Sequence, residues 1–228
     1  MGQWWVWHAR RPINFRLARM SGRVHGSGPL LVAIGDSHTD PSAAFTRPGQ
    51  VWLRIVARAG YRTLNLGKSG DSTAQMRARI GQALVEGRPE IAVIFGGGND
   101  ALRNVDPTET ERNVAFMIQW LRDRGVGRIA LIGAVQLNWR DTPPWQPAVD
   151  GVNTVLAGLA ARNSVVFVDL AGYLAERIAR GEDPDFSAVP YRQSRSWHVY
   201  GGDPHLNAYG QRLIAEAFLA STADWRAA

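Results

Sequence analysis

The sequence contains no cysteine, which excludes disulfide bonds and thiolate metal sites and is compatible with a reducing compartment. It also lacks an apolar run long enough to span a bilayer and a concentrated block of basic residues. The 26 Lys and Arg residues are mostly Arg, and they exceed the 20 acidic residues to give a net charge of +6. They are dispersed along helix-like segments, so we do not expect nucleic-acid binding. Because no apolar run is long enough to span a bilayer, we do not expect stable membrane insertion either.

The first 29 residues differ in composition from the rest of the chain. Trp4, Trp5 and Trp7 precede a series of arginines, whereas a secretory signal places charge before a longer apolar run. This order predicts no export signal and a cytoplasmic location. We interpret residues 1–29 as an N-terminal extension and linker, with a membrane-surface anchor as the alternative. Residues 30–228 have the length of a single α/β domain.

Short apolar segments, rich in β-branched residues, alternate with helical patterns along the chain. The predicted strands cover residues 31–34, 63–66, 91–95, 129–135 and 165–170. Uncharged strands that alternate with helices are typical of a parallel, doubly wound sheet covered by helices on both faces.

Helical patterns are predicted over residues 51–60, 73–86 and 106–121. In the last of these, Thr108 and Glu111 have the spacing of a capping box.

Small and polar residues follow the ends of the predicted strands, where open parallel sheets bind ligands. Ser37 follows the first strand, Gly70 lies in the loop after the second, and Asn99 follows the third; His205 lies near the C-terminus. A serine nucleophile needs a base for its proton and donors for the oxyanion that forms on the attacked carbonyl. His205 suits the first role. The backbone N–H groups of Ser37 and Gly70 and the Asn99 amide suit the second.

Further polar residues lie near these positions in the sequence. Asp203 is placed to hold the His205 imidazole in its useful tautomer, and His198 is a rival base. His38 is interpreted as a surface or loop histidine next to the nucleophile, with a second catalytic histidine as the alternative. Asp100 is interpreted as structural.

Four sequence blocks together resemble the SGNH hydrolases, the GDSL esterase and lipase superfamily. They are Gly-Asp-Ser at residues 35–37, residues 65–71, Gly-Gly-Asn-Asp at residues 97–100, and residues 203–210, in the order typical of that family. The resemblance implies a flavodoxin-like three-layer α/β/α sandwich with a five-stranded parallel sheet. It also implies hydrolysis of esters without a metal or cofactor, by a Ser37 nucleophile, a His205 base and an oxyanion hole of Ser37, Gly70 and Asn99.

Two positions depart from the family pattern. The acid usually precedes the histidine by three residues, whereas Asp203 precedes His205 by two. This shorter spacing is similar to that of some relatives that modify polysaccharide O-acetyl groups. The other departure is His38, which stands where the motif that names the family has leucine.

Two irregular inserts, residues 136–150 and 181–202, carry aromatic residues that we expect to bind substrate: Trp139, Trp145 and Trp197. Aromatic faces suit sugar rings or an acyl pocket, although rings of this kind also hold loops in place. The sequence thus predicts a serine hydrolase of short-chain carboxylic esters, with O-acetylated carbohydrate as a candidate substrate. The alternatives are an acyltransferase, a thioesterase or lysophospholipase on the same triad, and a non-catalytic binding module of the same fold.

The glycine-rich loops do not match a phosphate-binding or dinucleotide-binding motif. The five histidines are too scattered along the sequence to suggest a metal site. We therefore expect no cofactor and no metal.

Overall fold

The structure is a computed structural model that describes residues 23–43, 47–134, 146–181, 205–206 and 208–226. Among these residues one sheet contains six strands: β1 (Val24–His25), β2 (Leu30–Gly35), β3 (Arg62–Gly67), β4 (Ile91–Phe95), β5 (Arg128–Ile132) and β6 (Val166–Val168). Their order across the sheet is β1-β3-β2-β4-β5-β6. The edge strand β1 pairs antiparallel with β3, and all the other pairs are parallel.

Seven α-helices lie in the described part of the chain: α1 (Trp52–Arg58), α2 (Thr73–Ala78), α3 (Gly98–Leu102), α4 (Pro107–Arg122), α5 (Gln146–Arg162), α6 (Leu170–Ala179) and α7 (Ala208–Ser221). Short 3-10 helices cover Pro41–Ala43, Pro48–Gln50, Ile80–Leu84 and Ala223–Arg226. None of the α-helices described combines the length and the apolar character needed to cross a membrane.

The central strands are buried on both faces, which explains why their residues are apolar without interruption. In β2 all six residues are buried. Leu30, Val32 and Ile34 join a core that α2 to α5 cover, whereas Leu31 and Ala33 join a second core beneath α1, α6 and α7. Helices on both faces of a parallel sheet make the predicted three-layer α/β/α sandwich, and this prediction is confirmed.

The topology determines where a ligand can bind. Counted along the chain, the five parallel strands have the order 2-1-3-4-5 of the flavodoxin-like fold. From β2 the chain moves first to β3 on one side and later to β4 on the other. The carboxyl ends of β2 and β4 therefore form the switch point of the sheet, where folds of this type have their binding crevice.

The prediction of five strands is one strand short. The sixth, β1, lies in the segment that we interpreted as linker, where Val24 pairs with Leu64 and His25 with Thr63. A strand of two residues is too short to show an alternating pattern of apolar and polar residues. Its pairing depends on the neighbouring strand, so its own sequence does not predict it.

Two helix boundaries and one helix cap also differ from the prediction. The helix expected over residues 73–86 ends at Ala78, and a 3-10 helix follows. Helix α4 has Asp106 as its N-cap, and the Asp106 side chain accepts a hydrogen bond from the Thr108 N–H at 2.8 Å. The predicted capping box on Thr108 and Glu111 is therefore wrong, because an Asp directly before Pro at the first helical position caps the helix two residues earlier. The insert expected over residues 136–150 ends earlier, since α5 begins at Gln146.

Candidate active site at the strand ends

The turn that carries Ser37 follows β2 directly. The carbonyl oxygen of Asp36 accepts hydrogen bonds from the N–H groups of Thr39 and Asp40 at 3.1 and 2.9 Å. The Asp36 N–H donates to the carbonyl oxygen of Phe95, the last residue of β4, at 3.3 Å. Ser37 lies in this turn and is partly exposed. Its position is thus tied to the ends of two neighbouring strands.

The loop after β3 packs directly against the Ser37 turn. At Gly67 an added Cβ atom would overlap the backbone of Thr39 and Asp40, so only glycine permits this approach. The Asp40 carboxylate accepts hydrogen bonds from the Ser69 N–H at 3.0 Å and the Ser69 hydroxyl at 2.7 Å. The Asn65 side chain donates to the Thr39 carbonyl oxygen at 2.8 Å. These bonds hold the two loops in a fixed relation.

Gly70 has a φ of +82°, in the left-handed region that favours glycine. Within the described ranges, the backbone N–H groups of Ser37 and Gly70 donate to no acceptor of the protein. Unpaired N–H groups are uncommon in folded chains, and two of them at adjacent strand ends can bind an anionic oxygen.

Asn99 and Asp100 follow β4 and are both buried. The Asn99 side-chain amide donates to the carbonyl oxygen of Asp71 at 3.0 Å, which brings Asn99 next to the Gly70 loop. The Asp100 carboxylate accepts from the Thr73 N–H at 2.9 Å, from the Thr73 hydroxyl at 2.6 Å and from the Thr110 hydroxyl at 3.4 Å. Asp100 thus joins α2 and α4 to α3, the short helix that carries Asn99, as expected of a structural residue.

His205 is 5% exposed and lies beside His38, with the ring centroids 6.2 Å apart. His38 belongs to the same turn as Ser37, so the described residues bring His205 to the Ser37 side of the sheet. The His38 Nδ1 atom lies 3.3 Å from Oδ1 of Asp36, and its ring centroid lies 5.6 Å from that of Phe95. His38 is a loop residue, as expected, and its side chain is 13% exposed because Phe95 and Asp36 cover most of its ring.

Arg79 is a site residue that the sequence reasoning missed. Its guanidinium donates to the Asp71 carboxylate at 2.6 Å, to the Leu66 carbonyl oxygen at 2.7 Å and to the Gly35 carbonyl oxygen at 3.0 Å. An arginine in a helical pattern usually lies on a solvated face, and no motif marks this one as buried. The contacts of Arg79 can therefore be recognised only in the folded structure, where its side chain meets the ends of β2 and β3.

Four of the predicted site residues thus lie at the carboxyl end of the sheet: Ser37, Gly70, Asn99 and His205. The remaining ones fall outside the described residues: Asp203, His198, Trp139, Trp145 and Trp197. Within the described part of the chain, no three His, Asp or Glu side chains come together where they could hold a metal ion.

Comparisons with known proteins identify relatives of the chain. The model of the GDSL-like Lipase/Acylhydrolase family matches residues 33–213. The chain is 30% identical over 177 residues to Esterase TesA of Pseudomonas aeruginosa, an alignment that covers 73% of this chain and 85% of the relative.

Two solved structures share the fold. One is a variant of Axe2, an acetyl xylan esterase from Geobacillus stearothermophilus, with a TM-score of 0.67 and 22% identity over 86% of this chain and 95% of that one. The other is a member of the lipolytic protein G-D-S-L family from Veillonella parvula, with a TM-score of 0.67 and 22% identity over 85% of this chain and 98% of that one.

Proposed function

Because the chain belongs to the GDSL-like lipase/acylhydrolase family and is a carboxylic ester hydrolase, we propose that it cleaves short-chain esters through an acyl-enzyme on Ser37. One observation carries this assignment: the unpaired N–H groups of Ser37 and Gly70 lie at the ends of neighbouring strands. The Asn99 amide stands beside them at the end of the next strand. Donors so arranged suit the oxyanion of a tetrahedral intermediate.

In the first half of the proposed reaction, the Ser37 hydroxyl attacks the ester carbonyl carbon while His205 takes its proton. The carbonyl oxygen becomes an oxyanion that accepts hydrogen bonds from Ser37 N–H, Gly70 N–H and the Asn99 amide. The amide nitrogen of Asn99 carries two hydrogens, and its bond to the Asp71 carbonyl oxygen uses one of them. The other hydrogen is available to the oxyanion.

In the second half, the protonated His205 gives its proton to the leaving alcohol as the tetrahedral intermediate collapses to the acyl-enzyme. Water then attacks the acyl carbon, with His205 as its base, and Ser37 is released. We assign Asp203 as the acid that orients the imidazole and stabilises its charged form. The support for this assignment is the sequence, in which Asp203 precedes His205 by two residues.

We propose an O-acetylated carbohydrate as the natural substrate class. The name of a structural relative, an acetyl xylan esterase, supports this choice, as does the Asp-x-His spacing of Asp203 and His205. Trp139, Trp145 and Trp197 supply aromatic faces of the kind that stack on sugar rings.

The experiment that tests the proposed function measures hydrolysis of p-nitrophenyl esters from acetate to dodecanoate, and of acetylated xylo-oligosaccharides. The purified chain is compared with Ser37→Ala and Asp203→Asn. We expect kcat/KM to fall as the acyl chain lengthens, Ser37→Ala to lose turnover with an unchanged far-UV spectrum, and Asp203→Asn to lose most of its rate.

Retained turnover in Ser37→Ala would remove Ser37 from its role. Higher rates on longer chains would favour a lipase or thioesterase, and transfer of the acyl group to an added sugar in preference to water would favour an acyltransferase. If the chain hydrolyses no ester, a fluorophosphonate probe distinguishes the remaining cases. Labelling of Ser37 indicates a narrow substrate range, whereas no labelling indicates a non-catalytic module.

A further inference from the structure

We propose that Arg79 is a positioning residue for the oxyanion hole, an inference that rests on the proposed function of Ser37, Gly70 and Asn99. A single, partly buried guanidinium joins the ends of β2 and β3 to the loop that carries Gly70. Without it, the proposed oxyanion donors would lose a contact that fixes their spacing.

The three contacts of the Arg79 guanidinium reach three separate segments. Nη2 donates to the carbonyl oxygen of Gly35, the last residue of β2 and two residues before Ser37. Nη1 donates to the carbonyl oxygen of Leu66 in β3, and Nε donates to the carboxylate of Asp71, the residue after Gly70. Arg79 thus forms hydrogen bonds both to the strand that precedes Ser37 and to the loop that carries Gly70.

Asp71 connects this contact to the third donor. Its carboxylate binds Arg79, its carbonyl oxygen accepts the Asn99 amide at 3.0 Å, and its N–H donates to the Lys68 carbonyl oxygen at 3.2 Å. A displacement of Asp71 would therefore move Gly70 and change the direction of the Asn99 amide at the same time.

Burial makes the arrangement rigid. The side chain of Arg79 is 13% exposed and that of Asp71 is 3% exposed, so water replaces neither partner easily. The guanidinium is planar and presents its donors in a fixed fork, whereas a lysine ammonium is a single point of charge. Lysine at position 79 would keep the charge opposite Asp71 but could not hold two carbonyl oxygens and a carboxylate together.

The backbone also ends a helix at this residue. Helix α2 stops at Ala78, and the 3-10 helix begins at Ile80, so Arg79 stands between the two. The break in the helix thus lies at the residue whose side chain meets the strand ends.

The test compares Arg79→Lys with the matched control Arg128→Lys. Arg128 is also partly buried, and it donates to the Trp225 carbonyl oxygen at 2.8 Å and to Glu90 at 3.4 Å. It is the first residue of β5, so it lies at the opposite end of the strands from the site. Arg128→Lys therefore shows the effect of replacing a structural guanidinium that lies far from the proposed oxyanion donors.

We expect Arg79→Lys to lower kcat for p-nitrophenyl acetate by about 10- to 100-fold, because small displacements of oxyanion donors carry penalties of that size. KM should change little, since the Arg79 guanidinium donates to Asp71 and to two backbone carbonyl oxygens, and the donors that it positions act mainly in the transition state. Arg128→Lys should lower the unfolding midpoint but leave kcat unchanged at a temperature below both midpoints. An Arg79→Lys enzyme with wild-type kcat, or equal kcat losses in both variants, would overturn the proposal.

Chemical rescue provides a second readout. Ethylguanidinium at concentrations too low to denature should restore part of the kcat of Arg79→Ala, and ethylammonium, which lacks the fork, should not. If neither Arg79 variant folds, Asp71→Asn carries the same test, because it keeps the shape but loses the charged partner. Wild-type kcat in a folded Asp71→Asn enzyme would then count against the proposal. Failure of the proposed function is recognised separately, since the wild type would then hydrolyse no ester or Ser37→Ala would retain turnover.

Discussion

At the scale of single residues, the site depends on backbone atoms as much as on side chains. In the proposed oxyanion hole, Ser37 and Gly70 contribute N–H groups whose directions are set by a turn and by a positive φ. Asn99 is the proposed oxyanion donor that belongs to a side chain, and its orientation depends on the bond to Asp71. It is therefore the donor that a substitution can remove without altering the backbone.

We predict that Asn99→Ala lowers kcat by about 100-fold, the effect typical of losing one oxyanion donor. KM should stay near the wild-type value, because the missing bond forms mainly in the transition state. The control is Asn163→Ala, which removes another side-chain amide that donates to a backbone carbonyl oxygen, here that of Leu159 at the end of α5. Equal kcat values for the two variants would mean that the oxyanion is held by other groups.

The residues of the proposed site could be found from the sequence because the strands that precede them are easy to recognise. Ser37, Gly70 and Asn99 each follow an apolar segment that ends abruptly. The places of His38 and Arg79 could not be found in this way. Both side chains are partly covered by groups that are distant in sequence, Phe95 for His38 and the ends of two strands for Arg79.

At the scale of secondary-structure elements, long periodic segments were predicted well and local boundaries were not. The strand over residues 91–95 has the predicted limits, because all five of its residues are buried and apolar. The start of α4 was predicted to within one residue, but its capping group was assigned wrongly because Asp106 and Thr108 both offer capping side chains within one turn. Strand β1 was missed because a two-residue edge strand is defined by its partner.

This edge strand should make stability depend on pH. The pKa of His25 is lowered from its ordinary value by burial, and further by the charges of Arg54 and Arg23. Its Nε2 atom has no hydrogen-bond partner among the described residues. The unfolded chain therefore binds a proton at His25 more readily than the folded chain does. The free energy of unfolding should then fall as the pH drops below the ordinary His pKa of about 6.5, and the contribution is fully lost below the folded pKa.

Urea denaturation at about pH 7.5 and about pH 5 checks this expectation, since the difference between the two free energies reports protons taken up on unfolding. His25→Gln removes the titrating group and keeps a polar side chain in β1. We expect the variant to lose less stability on acidification than the wild type does. The same loss in both proteins would assign the pH dependence to other groups.

At the scale of the whole molecule, the order of the strands brings distant blocks of sequence to one crevice. Blocks that end at residues 37, 71 and 100 follow three strands that are neighbours in the sheet. A parallel sheet places all their carboxyl ends on one edge, so the fold alone assembles these parts of the site. The meeting of these three blocks can be predicted from the alternation of strands and helices in the sequence. The position of the C-terminal helix α7, which follows His205, cannot be predicted in this way, because it depends on contacts across the full length of the chain.

One such contact joins α7 to the first helix after the Ser37 turn. The side-chain oxygen of Gln211 accepts a hydrogen bond from the N–H of Trp52 at 3.0 Å, across 159 residues of sequence. Trp52 is the first residue of α1, and the N-cap residue Val51 offers no side-chain acceptor. Gln211 is 1% exposed and thus supplies, from the far end of the chain, the cap that α1 lacks.

We predict that Gln211→Met lowers the free energy of unfolding by about 1–3 kcal/mol, since it leaves the buried Trp52 N–H without an acceptor while nearly keeping the side-chain volume. Gln119→Met is the control, because Gln119 is exposed and its side-chain amide donates to the carboxylate of Asp123, the C-cap residue of α4, at 2.6 Å. The control should change stability by no more than about 0.5 kcal/mol. Urea denaturation checks both values, and an unchanged slope with denaturant shows that the molecule still unfolds as one unit. Equal stability of the two variants would mean that apolar packing alone holds α7 against α1.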